Sequence, residues 1–229
     1  MQPLPKTSRD GRSLVDRVYA AIRDALVAGE LAEEQLRQED LASALGVSRT
    51  PVRAALNQLT YEGLVSPLPG IGFLINEPTA DDVVELYQVR LNLELLALRL
   101  ACGRHNASSL ARLNTVIADM SVVDPADLAK RFELNVRFHE LLFEPCGNSI
   151  LIKMIDSLTE HPVNLRISRT HTPDQGSVNE SIRDHQEILD AMTAADLDSL
   201  VALYERHLEV WREDALVKIG AGTRSTITS

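Results

Sequence analysis

Cysteine is almost missing from this chain: Cys102 and Cys146 are the two in 229 residues. Two thiols make no staple framework, which excludes the disulfide-built secreted class and points to a reducing compartment. Aromatic residues are scarce at 4%, while hydrophobic residues reach 45%, a balance that suits a helical globular protein. No apolar run approaches the ~20 residues of a membrane span. The N-terminus lacks the apolar core of a secretory signal, so a cytoplasmic protein with no membrane partner is expected. An excess of basic charge is absent too. The net charge is −10, which argues against indiscriminate binding to polyanions.

The charge is unevenly spread. Residues 1–75 hold eight Lys/Arg against nine Asp/Glu, a balance of −1 that leaves −9 to the remainder. Within that less acidic part, no Asp or Glu occurs between Leu41 and Tyr61. The same stretch has a distinctive pattern. A short apolar-patterned run (Leu41, Ala42, Ala44, Leu45) is broken by Gly46, and an amphipathic run begins at Arg49. Ser48 is a favourable N-cap, whose hydroxyl is expected to accept from the next turn. Pro51 fits a first turn, where its missing N–H is no loss. Helix, tight glycine turn and helix is the spacing of a helix-turn-helix, which enters the DNA major groove with the N-terminus of its second helix. Ser48, Arg49, Thr50 and, one turn on, Arg53 are the residue types that contact phosphates and guanine edges. The same spacing also describes an ordinary helical hairpin with a solvated arginine face.

Taken in order, residues 1–12 read as a polar arm whose Lys6, Arg9 and Arg12 could touch phosphates. Ser13 caps a helix with Leu14, Val18, Ile22 and Leu26 on one face, ending at Gly29. After the helix pair, Leu64–Ser66 and Phe73–Ile75 read as short strands joined by a wing at Pro67–Gly72. Residues 77–79 form a linker. Thr79 then caps a long helix to about Gly103. Further helices are expected from Asn106–Ser108 to Val123, from a start signalled by Asp124-Pro125 with Asp127 to Phe143, from Asn148 to Thr170, from a Ser177–Glu180 capping box to Met192, and from Ala195 to Ile219. No strand pattern follows Ile75. The expected fold is mainly α: a winged DNA-binding domain over 1–76, an all-α antiparallel bundle over 80–219, and a disordered tail over 220–229.

Four polar residues fall where a packed helix should be apolar. His139 lies among Phe132, Val136, Leu142 and Phe143, with Asn135 one turn before it. His185 lies among Ile182, Leu189 and Met192, and His207 among Leu200, Leu203, Val210 and Trp211. Arg90 lies among Val83, Leu86, Leu93 and Ala97, with Glu94 one turn on to orient or pair with it. Three core histidines, each satisfied separately, would fit this pattern. So would one divalent ion binding all three imidazoles, since burying them unpaired costs several kcal/mol. A His₃ set with an oxygen donor suits Zn²⁺, Ni²⁺ or a similar ion, and Asn135 shares the helix face of His139. His105, His161 and His171 match no pattern and read as surface or loop residues.

The stretch LGVSRTPVRAAL followed by YEGLVSPLPGIGFLI resembles the winged helix-turn-helix of the GntR family of bacterial transcription regulators, over residues 13–76. The resemblance implies that Arg49, Thr50 and Arg53 contact operator DNA and that Gly72 sits at the wing tip. Two positions depart from the usual pattern: Glu39 stands where an Arg is common, with Arg37 nearby to replace it, and Ile71 stands for a wing Arg. Residues 80–215, through YQVRLNLELLALRLA, NVRFHELLFEPCGN, SVNESIRDHQEILDAM and ERHL, are similar to the FCD domain of FadR-type members. That likeness implies a divalent metal on Asn135, His139, His185 and His207, and a carboxylate effector on Arg90. Asn135 replaces the commoner Asp and removes one negative charge.

These expectations describe a non-enzymatic transcription factor, a repressor and homodimer on near-palindromic double-stranded operator DNA, governed by a small organic acid. Two other readings are a regulator for which the metal itself is the signal, and a His₃ metallohydrolase. The last lacks a base at motif spacing, since Glu140 and Glu187 point off the apolar stripes.

Overall fold

The structure, a computed structural model, describes residues 13–27, 30–31, 35–124, 126–161, 163–165 and 175–225. Gly29, the arm over 1–12, Pro125, Thr170, His171 and Pro173 lie outside these residues. The architecture is mainly α with one small sheet, and it divides between Pro78 and Thr79 into two compact units.

In the first unit, α1 (Leu14–Val27) opens on a reciprocal cap: Asp16 N–H donates to Ser13 Oγ (3.1 Å) and Ser13 N–H to Asp16 Oδ2 (3.2 Å). Its buried face, Val18, Ile22 and Leu26, packs on Val52, Leu56 and Leu59 of α3 (Arg49–Tyr61). Helix α2 (Gln38–Leu45) ends at Gly46, which turns the chain with φ 67°, a conformation glycine adopts without Cβ strain. Tyr19 OH donates to Glu62 Oε2 at 2.7 Å and ties α1 to the end of α3. Strands β2 (Val65–Leu68) and β3 (Gly72–Ile75) form an antiparallel hairpin. A strand not expected from the sequence, β1 (Gln35–Leu36), pairs with the free edge of β3.

The hairpin corrects one assignment. Gly72 is not at the wing tip, which is formed by Pro69, Gly70 and Ile71; it opens β3, opposite Leu68. A Cβ at Gly72 would stand 2.3 Å from the Leu36 carbonyl oxygen. Glycine is required there because the β1 backbone passes over it.

The second unit is all-helical in its described residues. Helix α4 (Ala80–Ala101) starts on a Thr79–Asp82 capping box, α5 (Ala107–Val122) on Asn106 and Ser109, α6 (Leu128–Phe143) on Asp127, and α7 (Ser149–Thr159) on Asn148. In each, the cap side chain accepts an otherwise unmatched N–H of the first turn. Helix α7 stops at Thr159 rather than near Thr170; Pro162 follows in the sequence, and the residue before a proline is pushed out of the helical region. Helix α8 (Gln175–Thr193) begins two residues before the expected Ser177 cap. Helix α9 (Leu197–Ser225) is capped by Asp196, whose Oδ1 accepts from Ser199 N–H at 3.1 Å, and it continues past Ile219.

Ala195, expected to begin that last helix, instead turns the chain with φ 53°. Asp196 N–H reaches back to the Ala191 carbonyl at 3.0 Å, closing a left-handed helix-end motif of the Schellman type. The core of the unit is built around Leu98, Leu113, Phe138, Leu142, Phe143, Ile188 and Tyr204, all at most 2% exposed. Helix α4 packs on α9 and α7, α5 on α6 and α8, and α8 on α9. Those pairings turn α4, α6, α8 and α9 toward one cavity.

Candidate metal centre and candidate DNA interface

In the first unit, the first two turns of α3 carry Pro51, Val52, Ala55 and Leu56 inward, leaving Ser48, Arg49, Thr50 and Arg53 exposed on the opposite face. Arg37, just before α2, is exposed too. Ser48 holds the N-cap position with extended backbone, but its side chain makes no cap hydrogen bond. The expected capping bond is therefore not formed, and the hydroxyl is left for another partner. Arg49 Nη1 pairs with Glu39 Oε1 at 2.6 Å, both side chains more than three-fifths exposed. An exposed pair of this kind is worth at most about 1 kcal/mol, so a phosphate can replace the carboxylate. Asn57, one turn beyond Arg53 and exposed, extends the same face; its i+4 spacing from Arg53 was the signal available for it.

In the second unit the three stripe histidines converge. His139 of α6, His185 of α8 and His207 of α9 offer ring nitrogens that all lie within 4.8 Å of one another. Ring centroids are 5.6 Å apart for His139 and His185, 5.5 Å for His139 and His207, and 4.9 Å for His185 and His207. His185 and His207 are 1% and 2% exposed. Both nitrogens of His185, Nδ1 of His207 and Oδ1 of Asn135 are buried with no hydrogen-bond partner. Asp184 Oδ2 stands 3.8 Å from His207 Nδ1, beyond hydrogen-bond length. Four unmatched buried polar atoms carry a cost of about 1–3 kcal/mol each, and a divalent cation, taking one nitrogen from each ring and the Asn135 oxygen, removes part of it. Burial, with the neighbouring positive charges, holds the His139 and His185 imidazoles well below the usual histidine pKa. Neutral rings are the form that ligates a metal. The donor set fits Zn²⁺ or Ni²⁺, with three nitrogens and an amide oxygen. When bound, such an ion supplies Lewis acidity toward an anionic ligand in the cavity.

A chain of hydrogen bonds connects this centre to Arg90. Arg90 Nε donates to Glu94 Oε1 at 2.8 Å, and Tyr204 OH donates to Glu94 Oε2 at 2.6 Å. Tyr204 oxygen stands 3.0 Å from His139 Nδ1. The hydroxyl has one proton, and the carboxylate takes it. His139 must therefore donate through Nδ1–H to the tyrosine oxygen, leaving Nε2 as the lone-pair atom. Arg90 also donates to Asn164 Oδ1 (3.3 Å) and lies over the Tyr87 ring at 4.9 Å. Glu94 is 2% exposed and Tyr204 fully buried. Burial works against the Arg90 charge, but Glu94, Tyr87 and Tyr204 together outweigh it and raise the arginine pKa above its ordinary value. Tyr204 was the residue the sequence reading passed over. It lies three positions before His207 on the same stripe, and a buried tyrosine needs a hydroxyl partner.

Around these groups lies a cavity of about 980 Å³ bounded by α4, α6, α7, α8 and α9. Its wall includes Arg131, one turn before Asn135 on α6, which the sequence reading also missed. Val210, assigned to the apolar stripe of α9, is 45% exposed; it lies at the rim of that cavity. His105, read as a surface residue, is half-buried with both nitrogens engaged, on Ser109 Oγ and the Leu142 carbonyl at 3.1 Å each. It fastens the start of α5 to the end of α6.

Two family models match the chain: the gntR family of bacterial regulatory proteins over residues 14–75, and the FCD domain over residues 85–210. The chain is a GntR-family transcriptional regulator with an FCD domain. Among relatives of this regulator, the Nta operon transcriptional regulator of Aminobacter aminovorans is 30% identical, over 77% of this chain and 81% of that protein. The transcriptional repressor GlaR of Escherichia coli is 24% identical over 88% and 92% of the two chains. A solved GntR-type regulator from Rhodococcus sp. shares the fold with a TM-score of 0.69 at 23% identity, covering 90% of this chain and 98% of its own. The relatives are regulators rather than enzymes. In this regulator Glu140 and Glu187, the candidate bases of a hydrolase, are held by Arg137 at 3.0 Å and Arg206 at 2.6 Å. No described helix is long and apolar enough to cross a membrane.

Proposed function

We propose that this regulator is a repressor that binds operator DNA as a two-fold dimer, and that a small organic acid held at a divalent metal in the helical unit governs its release. Ser48, Arg49, Thr50 and Arg53, with Arg37 and Asn57 at the flanks, read the major groove and its phosphates. His139, His185, His207 and Asn135 hold the ion, and Arg90 faces the ligand beside it. Gly72 acts through the wing backbone rather than as a DNA contact. The observation that carries the reading is the group of buried, unpartnered histidine and asparagine atoms drawn from three helices. One ion takes a nitrogen from each ring together with the Asn135 oxygen, and an anion on that ion biases the packing of α4, α6, α8 and α9 together. Effector and DNA affinities are then coupled reciprocally.

One observation favours a second reading, in which the metal itself is the signal. Arg90 already has a carboxylate partner at 2.8 Å in Glu94, so it needs no ligand for charge balance. Elemental analysis of untagged protein tests both. About one equivalent of metal per chain, lost in His185→Ala, is the expected result. Operator release that follows metal concentration with no acid present selects the second reading. A stable, metal-free wild-type protein overturns both.

A further inference from the structure

The cavity holds a second arginine whose charge is not matched. Arg90 is paired with Glu94, Arg137 with Glu140, and Lys218 with Asp214. Lys153 is exposed to water. Arg131 has no ion pair among the described residues, and its Nη1 is buried without a hydrogen-bond partner. That nitrogen lacks both water and a protein acceptor although the residue is only partly buried, which is costly unless a ligand provides an acceptor. The two arginines also stand against different parts of the centre: the charge of Arg90 bears on His139 and that of Arg131 on His185.

Resting on the effector reading above, we propose that Arg131 is an anion-binding residue of this cavity, and that the effector carries two anionic groups. One carboxylate lies at the metal beside Arg90, and the second is taken by Arg131. Arg131 and Asn135 are one turn apart on α6 and line the same cavity, so four- and five-carbon dicarboxylates are the short two-ended probes with which to test for a second anion site. Planar, forked recognition of a carboxylate is what arginine supplies and lysine supplies less well.

Calorimetric titration of the zinc-loaded full chain with succinate and glutarate, against butyrate and valerate, tests this. The dicarboxylates are expected to bind about tenfold tighter, as one charge-assisted pair provides. In Arg131→Gln the preference falls to within about twofold, and in Arg131→Lys part of it returns; zinc stoichiometry in each variant reports that the cavity is still built. Equal affinity for the two series in the wild type, or an Arg131→Gln variant that keeps the full preference, overturns the proposal and leaves the monocarboxylate reading standing. Zinc bound with neither series binding overturns this proposal and the organic-acid reading together.

Discussion

Replacing Glu94 by Gln is the most informative single change in the helical unit. The carboxylate is 2% exposed and accepts from two donors, Arg90 Nε at 2.8 Å and Tyr204 OH at 2.6 Å. An amide oxygen can accept one of these bonds, while the amide N–H₂ faces the other donor. The charge of Arg90 is then left buried without a counter-ion. Breaking a buried pair from one side costs about 3–5 kcal/mol, which at about 2–4 °C per kcal/mol is a fall of roughly 6–20 °C in the midpoint. The chain's single tryptophan, Trp211 on α9, lies 6.4 Å from His207 by ring centroids. Its fluorescence therefore follows the helical unit alone, which matters because a chain of two units need not unfold in one step. The double variant Arg90→Met with Glu94→Gln removes both charges and should recover most of the loss. A single variant that shifts the midpoint by less than about 2 °C refutes the assigned network, as does a double variant less stable than the single.

Arg53→Ala should weaken operator binding by about 1–3 kcal/mol and lower the slope of log affinity against log salt by about one if the contact is to phosphate; electrophoretic mobility shift across a salt series reads both, with melting unchanged because Arg53 is exposed. In Gly72→Ala the added Cβ meets the Leu36 carbonyl, so β1 should detach, with hydrogen exchange rising at residues 35–37 and operator binding falling while Trp211 fluorescence stays constant. Saturating zinc at 100 times its dissociation constant should stabilise the helical unit by about 2.7 kcal/mol in the wild type and by nothing measurable in His185→Ala, as read by the Trp211 melt. Tyr19 should ionise at about 12, raised by burial and by its hydrogen bond to Glu62. Unfolded tyrosine loses its proton near pH 10, so the contribution of Tyr19 is complete below pH 10 and declines between pH 10 and 12. Ultraviolet titration compared with Tyr19→Phe checks the value.

Much of the fold was legible because its signals are local. Thr79, Asn106, Asp127 and Asn148 each announce a helix start by a side chain that can accept from the first turn, and all four do so. The histidines were legible as misfits in apolar stripes. Their convergence was not, because a stripe fixes a helix face but not which neighbours it meets. Strand β1 was invisible for a similar reason: two residues have no period, and they become a strand only by pairing with β3. Gly72 was assigned the wrong task because a glycine in a hairpin sequence reads as a turn, whereas here it makes room for a third strand. Arg131 and Tyr204 were missed although each shares a face with a recognised residue. Their roles come from what they face across the cavity, which one helix cannot disclose.

The turn between α8 and α9 behaves as a ruler. His185 precedes Asp196 by eleven residues and His207 follows it by eleven, so the two imidazoles stand at similar heights, about 12 Å of α8 and about 15 Å of α9 from the bend. Adding or removing one residue inside either helix, between the bend and its histidine, would turn that imidazole by about 100° about the helix axis and carry it away from its partners, though no ligand had been touched. Substitutions in the bend are tolerable; Ala195, held at φ 53°, could even gain about 1 kcal/mol by becoming glycine. A change of helical register is not. Among descendants of this sequence, a one-residue change of length inside either helix between the bend and its histidine should mark a lineage whose centre no longer holds metal through that residue.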